Sequence, residues 1–368
     1  MGQNQIAHSE DIQKKILQWK FYILYNQIYK MKYDLNQSYG SLEEVQGYQD
    51  VKEININIKK DYNFGLEGAI GIQQGLSHFK EIQQLSLVIG KNNKINNSVT
   101  QILGQTIGDC QFLIRLNLVI EQNNIQNGII HLLNPIQNCL NLQSFKLLIG
   151  NQNQVKDELF ITLSLILRNL TSLNDFGLIL EEGNLTTQNG LIHFSEGLKS
   201  CLNLLKFEII FGKDELTTEG LLALKEGIGA LQKLTHFAIE TGPWNSIKSN
   251  GCLQISNTLL QFKQIQELRI CIDLGNQISD EGVKYLSIGI LSQQQLIKLS
   301  IIFGRFNNIG YNSIQLFFKN LIDCKNLLYL ECLLYCTGNS ILSKQKINFQ
   351  VQLNHIKQIV SKKISLVW

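Results

Sequence analysis

One triplet in this 368-residue chain has the form of a chemical motif: Asp175-Phe176-Gly177, within the stretch LNDFGLIL. An Asp-Phe-Gly carboxylate can hold Mg²⁺ against the phosphates of ATP, so phosphoryl transfer is the first chemistry to weigh. That chemistry needs a Gly-rich loop over the phosphates, a strand lysine, an H-R-D loop and an A-P-E segment. The sequence contains none of that set. It also lacks a G-x-x-x-x-G-K-[ST] phosphate loop, a G-x-S-x-G elbow and an H-E-x-x-H zinc motif. His131 and His193 lie in separate helical stretches and His236 on a strand, with no ligand spacing among them. The acidic pairs Glu181-Glu182 and Asp214-Glu215 fall in turns, where solvated charge is the ordinary reading. These residues predict no catalytic group, no cofactor and no metal, and so a protein that is not an enzyme.

Composition narrows the class further. Hydrophobic residues make up 44% of the chain, enough for a large core, while charged residues make up only 17%. Asn and Gln fill the polar positions, interleaved with Ile and Leu at regular spacing, as in the surface and loops of an ordered fold. The net charge is +3, from 33 basic and 30 acidic residues, with no run of five like charges. That balance argues against a nucleic-acid partner. The start, MGQNQIAHSEDIQKK, is polar where a secretory signal needs an apolar core. Gly2 follows Met1 as myristoylation requires, but Ile6 stands where Ser or Thr is needed. The run ILQWKFYILYNQIYKMKY carries Lys20, Lys30 and Lys32, so no membrane insertion is expected. Eight cysteines without C-x-x-C spacing read as reduced thiols, and a cytoplasmic location is expected.

The strongest signal is a repeat. An apolar residue followed by x-x-Φ-x-Φ-x-Φ, with Φ apolar, begins at Val51, Ile82, Leu113, Leu142, Leu173, Leu204, Leu234, Ile265, Leu296 and Leu327. The steps lie between 29 and 31 residues, the mark of stacked supersecondary units. Each unit opens with period-two alternation, such as Leu116, Leu118 and Ile120, which predicts a strand with one buried face. A polar turn follows. One aliphatic then plugs back into the core, at Ile95, Ile125, Val155, Leu185, Leu216, Ile247, Ile278 and Ile309. Gly128, Gly190, Gly220, Gly251 and Gly282 open helical spacing after it. Three residues before the strand start stand Cys110, Cys139, Cys201 and Cys324, in a column shared with Phe79, Leu170 and Phe262 and broken once by Gln293. A column that accepts Phe is a core column, so these thiols read as small hydrophobes.

Leu-x-x-Leu-x-Leu, the Asn-x-Ile or Asn-Ile turn, the Gly-x-x-x-Leu helix start and the Cys before the next strand together resemble the leucine-rich repeat family, in its ribonuclease-inhibitor-like subtype. The clearest copy is LNLLKFEIIFGKDELTTEGLLALKEGIGALQ. The resemblance implies an α/β fold: a curved horseshoe with a parallel sheet inside and helices outside, of about ten repeats of about 31 residues. That period exceeds the usual 20–29, with the excess in the turn. The turn Asn also varies, with Gln154 and Glu215 reading in its place. Residues 51–335 form the array. Residues 1–50, with a helical stretch from about Asp11 to Tyr33, are expected as an N-terminal cap or degenerate repeat. Residues 336–368, with HIKQIV as a helix and ISLVW as a strand, are expected as a C-terminal cap. The repeat also absorbs the Asp-Phe-Gly triplet: Phe176 falls in a core column with Leu116, Phe145, Phe207 and Phe237, and Asp175 and Gly177 become variable surface positions. The kinase reading fails on that account.

The resemblance implies a non-enzymatic scaffold that binds a protein partner through its concave face. Regulation of a small GTPase, or substrate recognition within a larger complex, are alternatives it leaves open. The solvent-facing strand columns are mixed in sign, except for one that is mostly apolar and includes Val88, Val119, Leu148, Ile179, Ile210 and Ile302. Two readings stand for that column: local packing beneath the long turns, or a stripe that docks the partner. On the second reading Val119, Ile179 and Ile210 form its centre, with Lys206, Glu208 and Arg269 as a polar rim.

Overall fold

A computed structural model describes residues 51–335, apart from Lys80 and Asp214, and residues 360–367. The expected helical stretches at 11–33 and at HIKQIV lie outside the described residues. Ten strands recur at the repeat spacing: β1 (Glu53–Ile58), β2 (Gln84–Ile89), β3 (Arg115–Ile120), β4 (Ser144–Ile149), β5 (Asp175–Leu180), β6 (Lys206–Phe211), β7 (His236–Thr241), β8 (Glu267–Ile272), β9 (Lys298–Phe303) and β10 (Tyr329–Tyr335). An eleventh, β11 (Ser361–Val367), lies over ISLV and pairs with β10. Each of the ten begins two residues after its template start. The eleven form one parallel sheet in chain order, because a helical return of a dozen or more residues brings each strand back beside its predecessor.

The returns are α1 (Gly65–Ser77), α2 (Asn97–Gly108), α3 (Gly128–Leu133), α4 (Glu158–Asn169), α5 (Gln188–Leu198), α6 (Thr218–Gly229), α7 (Lys248–Leu259), α8 (Ser279–Leu291) and α9 (Tyr311–Asn320). The third is short. Pro135 cannot donate a backbone hydrogen bond, and the chain passes into a 3₁₀ turn over Asn134–Asn138. Asn96, Thr187 and Thr217 cap α2, α5 and α6 through their side-chain oxygens. Helices pack about 8–10 Å apart and strands about 4.8 Å apart, so the layer of helices must fan outward and the sheet lines the concave side. Small residues keep the fan tight. A Cβ on Gly197 of α5 would stand 2.5 Å from Ser164 Cα of α4, and one on Gly227 of α6 would stand 2.3 Å from the Ser195 carbonyl oxygen.

Between sheet and helices runs one continuous core. Phe145, Phe176, Phe207 and Phe237 stack along it, with ring centroids 5.7, 6.0 and 6.1 Å apart from one strand to the next. Phe176 is completely buried, so the middle residue of the Asp-Phe-Gly triplet is a core residue. The seven described cysteines are free thiols. Burial pushes Cys139 and Cys201 up to about 12 and Cys110 and Cys324 up to about 11, so these thiols stay protonated at neutral pH. The one break in their column has a physical reason. Cys139 and Cys201 point their sulfurs at the carbonyls of Ile107 and Leu167, and Gln293 donates to the equivalent carbonyl of Leu259 at 2.7 Å.

The turns after the strands are locked by a ladder of side chains: Asn93, Asn123, Asn153, Asn184, Glu215, Asn245, Asn276 and Asn307. Asn245 shows the pattern. Its Nδ2 donates to the Gly212 and Gly242 carbonyls, and its Oδ1 accepts from the Glu215 and Leu216 N–H groups, all between 2.7 and 2.9 Å. Three readings of the turns need correction. The ladder residue of the fourth repeat is Asn153, not Gln154: Asn153 Nδ2 reaches the Gly150 carbonyl at 3.0 Å, while Gln154 turns through positive φ. Leu185 is no plug; it is 57% exposed with φ 58°, because it directly follows the ladder residue Asn184, in the left-handed slot that Lys94, Gln154 and Gln277 hold in other turns. Glu215 is not a solvated turn charge. It is buried as the one carboxylate in the ladder and accepts the N–H groups of Asn184, Leu185 and Thr186.

Candidate interaction surface

Period-two alternation sends alternate side chains of every strand to the concave face. Lateral register then sets them in tiers, with Asp175, Lys206 and His236 side by side in one and Gly177, Glu208 and Ala238 in the next. Among the described residues, hollows of about 600 and 440 Å³ open on this face. Lys146 and Asp175 border both, joined Nζ to Oδ1 at 2.6 Å. Asp175 also accepts from Ser144 Oγ at 3.1 Å. The carboxylate that raised phosphoryl transfer as a question is thus held by a lysine and a serine on the neighbouring strand. Among the described residues no cluster of three or more His, Cys, Asp or Glu side chains is placed to hold a metal ion.

The larger hollow extends from Lys146 on β4 to Glu331 on β10, and its charged groups are mostly paired. Arg269 Nε meets Glu240 Oε1 at 2.5 Å, and its Nη1 donates to Ser300 Oγ at 3.0 Å. Burial works against the Arg269 cation, but the Glu240 carboxylate, itself only 2% exposed, holds the guanidinium charged. Glu267 takes both His236 Nε2, at 3.2 Å, and Lys298 Nζ, at 3.3 Å. Glu208 differs. Burial raises its pKa; Lys146 and Arg269 pull it down, and Glu240 and Asp175 push it up.

Of the six residues singled out by sequence, four line this hollow: Lys206, Glu208, Arg269 and Ile210. Val119 and Ile179 lie outside it. With Leu148 and Ile210 they form a separate apolar cluster, packed laterally through the Val119↔Leu148↔Ile179↔Ile210 register. Its members are only 4–9% exposed. Residues that sequence reasoning passed over as ordinary surface are Lys146, Asp175, His236 and Glu267. Each stands in a concave column readable from the repeat, but pairing with a residue about 30 positions away leaves no local trace.

No protein-family model matches the chain, and no curated protein matches it. Among solved structures, the leucine-rich repeat-containing protein LegL7 from Legionella pneumophila is similar with 13% identity and a TM-score of 0.47, over 89% of this chain and 97% of that one. A leucine-rich repeat protein from Leptospira interrogans is similar with 16% identity and a TM-score of 0.25, over 90% of this chain and 100% of that one. The architecture stands on its own geometry: parallel strands in chain order, a helix in each return and a polar ladder at each turn make a leucine-rich-repeat solenoid. Among the described residues no helix is long and apolar enough to cross a membrane.

Proposed function

We propose that this protein is a non-enzymatic scaffold that binds a protein partner along its concave face, with Lys206, Glu208 and Arg269 as polar contacts. Ile210 floors the hollow, and Val119 and Ile179, outside it, continue the same apolar column over the neighbouring strands as the centre of the contact. The observation behind this reading is the extent of the larger hollow. It crosses seven strands, β4 to β10, and six spacings of about 4.8 Å give roughly 29 Å. A polar trough of that length suits a segment of folded or extended protein better than a single small molecule. The ribonuclease-inhibitor-like subtype is part of the same proposal, supported by a helical return in each complete repeat and by the buried cysteine column.

A photoreactive amino acid at Lys206 in the full chain tests the reading, against one at Glu196 on the convex helix α5. The expected result is a discrete cross-linked protein from position 206, absent from position 196 and lost when Glu208→Lys is added. Cross-linking from the convex position alone would overturn it.

A further inference from the structure

The larger hollow is lined by five carboxylates, of Asp175, Glu208, Glu240, Glu267 and Glu331, against the four basic groups of Lys146, Lys206, Arg269 and Lys298. Asp175 is held by Lys146, Glu240 by Arg269, and Glu267 by Lys298 and His236. Glu331 accepts from Ser300 Oγ at 3.3 Å. Among the described residues Glu208 makes no hydrogen bond and no ion pair, and neither does Lys206, which projects into solvent. The surplus carboxylate is therefore Glu208, at the middle of the sheet and only partly exposed.

Its surroundings leave it room on one side. Its register neighbours in the same tier are the smallest residues there, Gly177 on β5 and Ala238 on β7. The space over Gly177 is taken: Lys146 crosses it to reach Asp175, and a Cβ on Gly177 would stand 2.7 Å from Lys146 Cδ. On the other side Ala238 lines the hollow, and Arg269, its register neighbour on β8, is tied to Glu240 and Ser300 rather than to Glu208. An unpaired, partly desolvated carboxylate thus borders a recess walled by Ala238. Leaving such a group without a partner is costly, and an arriving cation relieves that cost by a charge-assisted hydrogen bond.

We infer that this recess is a subsite for one basic side chain, lysine or arginine, of the partner protein, which enters over Ala238 and pairs with Glu208. The inference rests on the concave-face reading above and adds the chemistry of its central contact. Lys206, two residues earlier on the same face of β6, sits where an acidic group flanking that basic residue would meet it.

The test uses the full chain with ¹³C-labelled glutamate carboxyls, Glu208 being assigned by its absence in Glu208→Gln. Arginine amide, N-acetylated so that the guanidinium is its one charge, is the probe, and citrulline amide, N-acetylated likewise and so its neutral near-isostere, is the control. The expected result is that saturating arginine amide lowers the Glu208 pKa by about one pH unit or more, that citrulline amide does not, and that Ala238→Val, which fills the recess and spares the carboxylate, removes the response. A Glu208 resonance that titrates identically with and without arginine amide overturns the subsite. So does an arginine response that persists in Ala238→Val, since the cation then pairs outside the recess. Either failure leaves the concave-face reading intact, because that reading is tested separately by the cross-link from position 206.

Discussion

Asn245 on the turn rim and Glu208 on the concave face are polar side chains of the same stack of repeats, and their hydrogen bonding is opposite. Asn245 is buried and makes four hydrogen bonds, two donated and two accepted, all to backbone groups of neighbouring turns. Glu208 makes none among the described residues, although burial already raises its pKa. The rim satisfies backbone groups that would otherwise be orphaned in the interior. The concave tier leaves a charged group open toward the hollow. Polar residues on the rim are therefore structural, and the open group on the concave face is the one we propose for recognition. Arg269 sits between the two cases: it lines the hollow, yet its guanidinium is committed to Glu240.

Four substitutions can break or sharpen this contrast. Asn245→Leu removes four hydrogen bonds at once and leaves buried backbone groups unpaired, at about 1–3 kcal/mol each before relaxation. A loss on the order of 4 kcal/mol is expected in denaturant unfolding, and a loss below 1 kcal/mol would show that the ladder is dispensable. Arg269→Ala leaves Glu240 as a buried carboxylate without its guanidinium and should cost about 3 kcal/mol. If the variant unfolds like the parent, Arg269 belongs with the open groups and not with the structural ones. Glu215→Gln keeps one acceptor oxygen for the Asn184 and Leu185 N–H groups, now as neutral hydrogen bonds, but sets an amide NH₂, which cannot accept, against the Thr186 N–H. A loss of about 1 kcal/mol is expected, and thermal unfolding in parallel with the parent measures it.

The smallest effect is expected at Glu208. At neutral pH Glu208→Gln removes an unpaired, partly desolvated charge and should raise stability by less than about 1 kcal/mol, with a pH dependence set by linkage. The folded-state pKa of Glu208 is raised above the ordinary 4.5. Its contribution is therefore fully present below that value and is lost as pH rises through the raised one. The groups facing it are Lys146, Asp175, Lys206, His236, Glu240 and Arg269, and they are common to both proteins. The midpoint of the glutamine variant minus that of the parent should thus grow more positive from about pH 4 toward neutrality. A difference that moves the other way would mean that the Glu208 carboxylate is stabilised in its charged form, with no vacancy for a basic partner.

Much of this protein is legible in the order of its residues alone. Ten strand positions, the burial of Phe176 and the packing role of Cys139 and Cys201 follow from apolar spacing, because a solenoid repeats the same environment every 29 to 31 residues and each column has to satisfy it. The turns were less legible. Asn153 and Gln154 are adjacent and similar, and only the backbone path shows which of them reaches the Gly150 carbonyl. Leu185 has the composition of a plug but directly follows the ladder residue Asn184, in a left-handed slot, so it faces solvent. The tertiary structure alone decided the charge pairing: Lys146 with Asp175, Arg269 with Glu240, and Glu208 with no described partner. Apolar burial is a property of a column and can be read along the chain. An ion pair is a property of two side chains brought together from strands about 30 residues apart, and its geometry exists only once the sheet has formed.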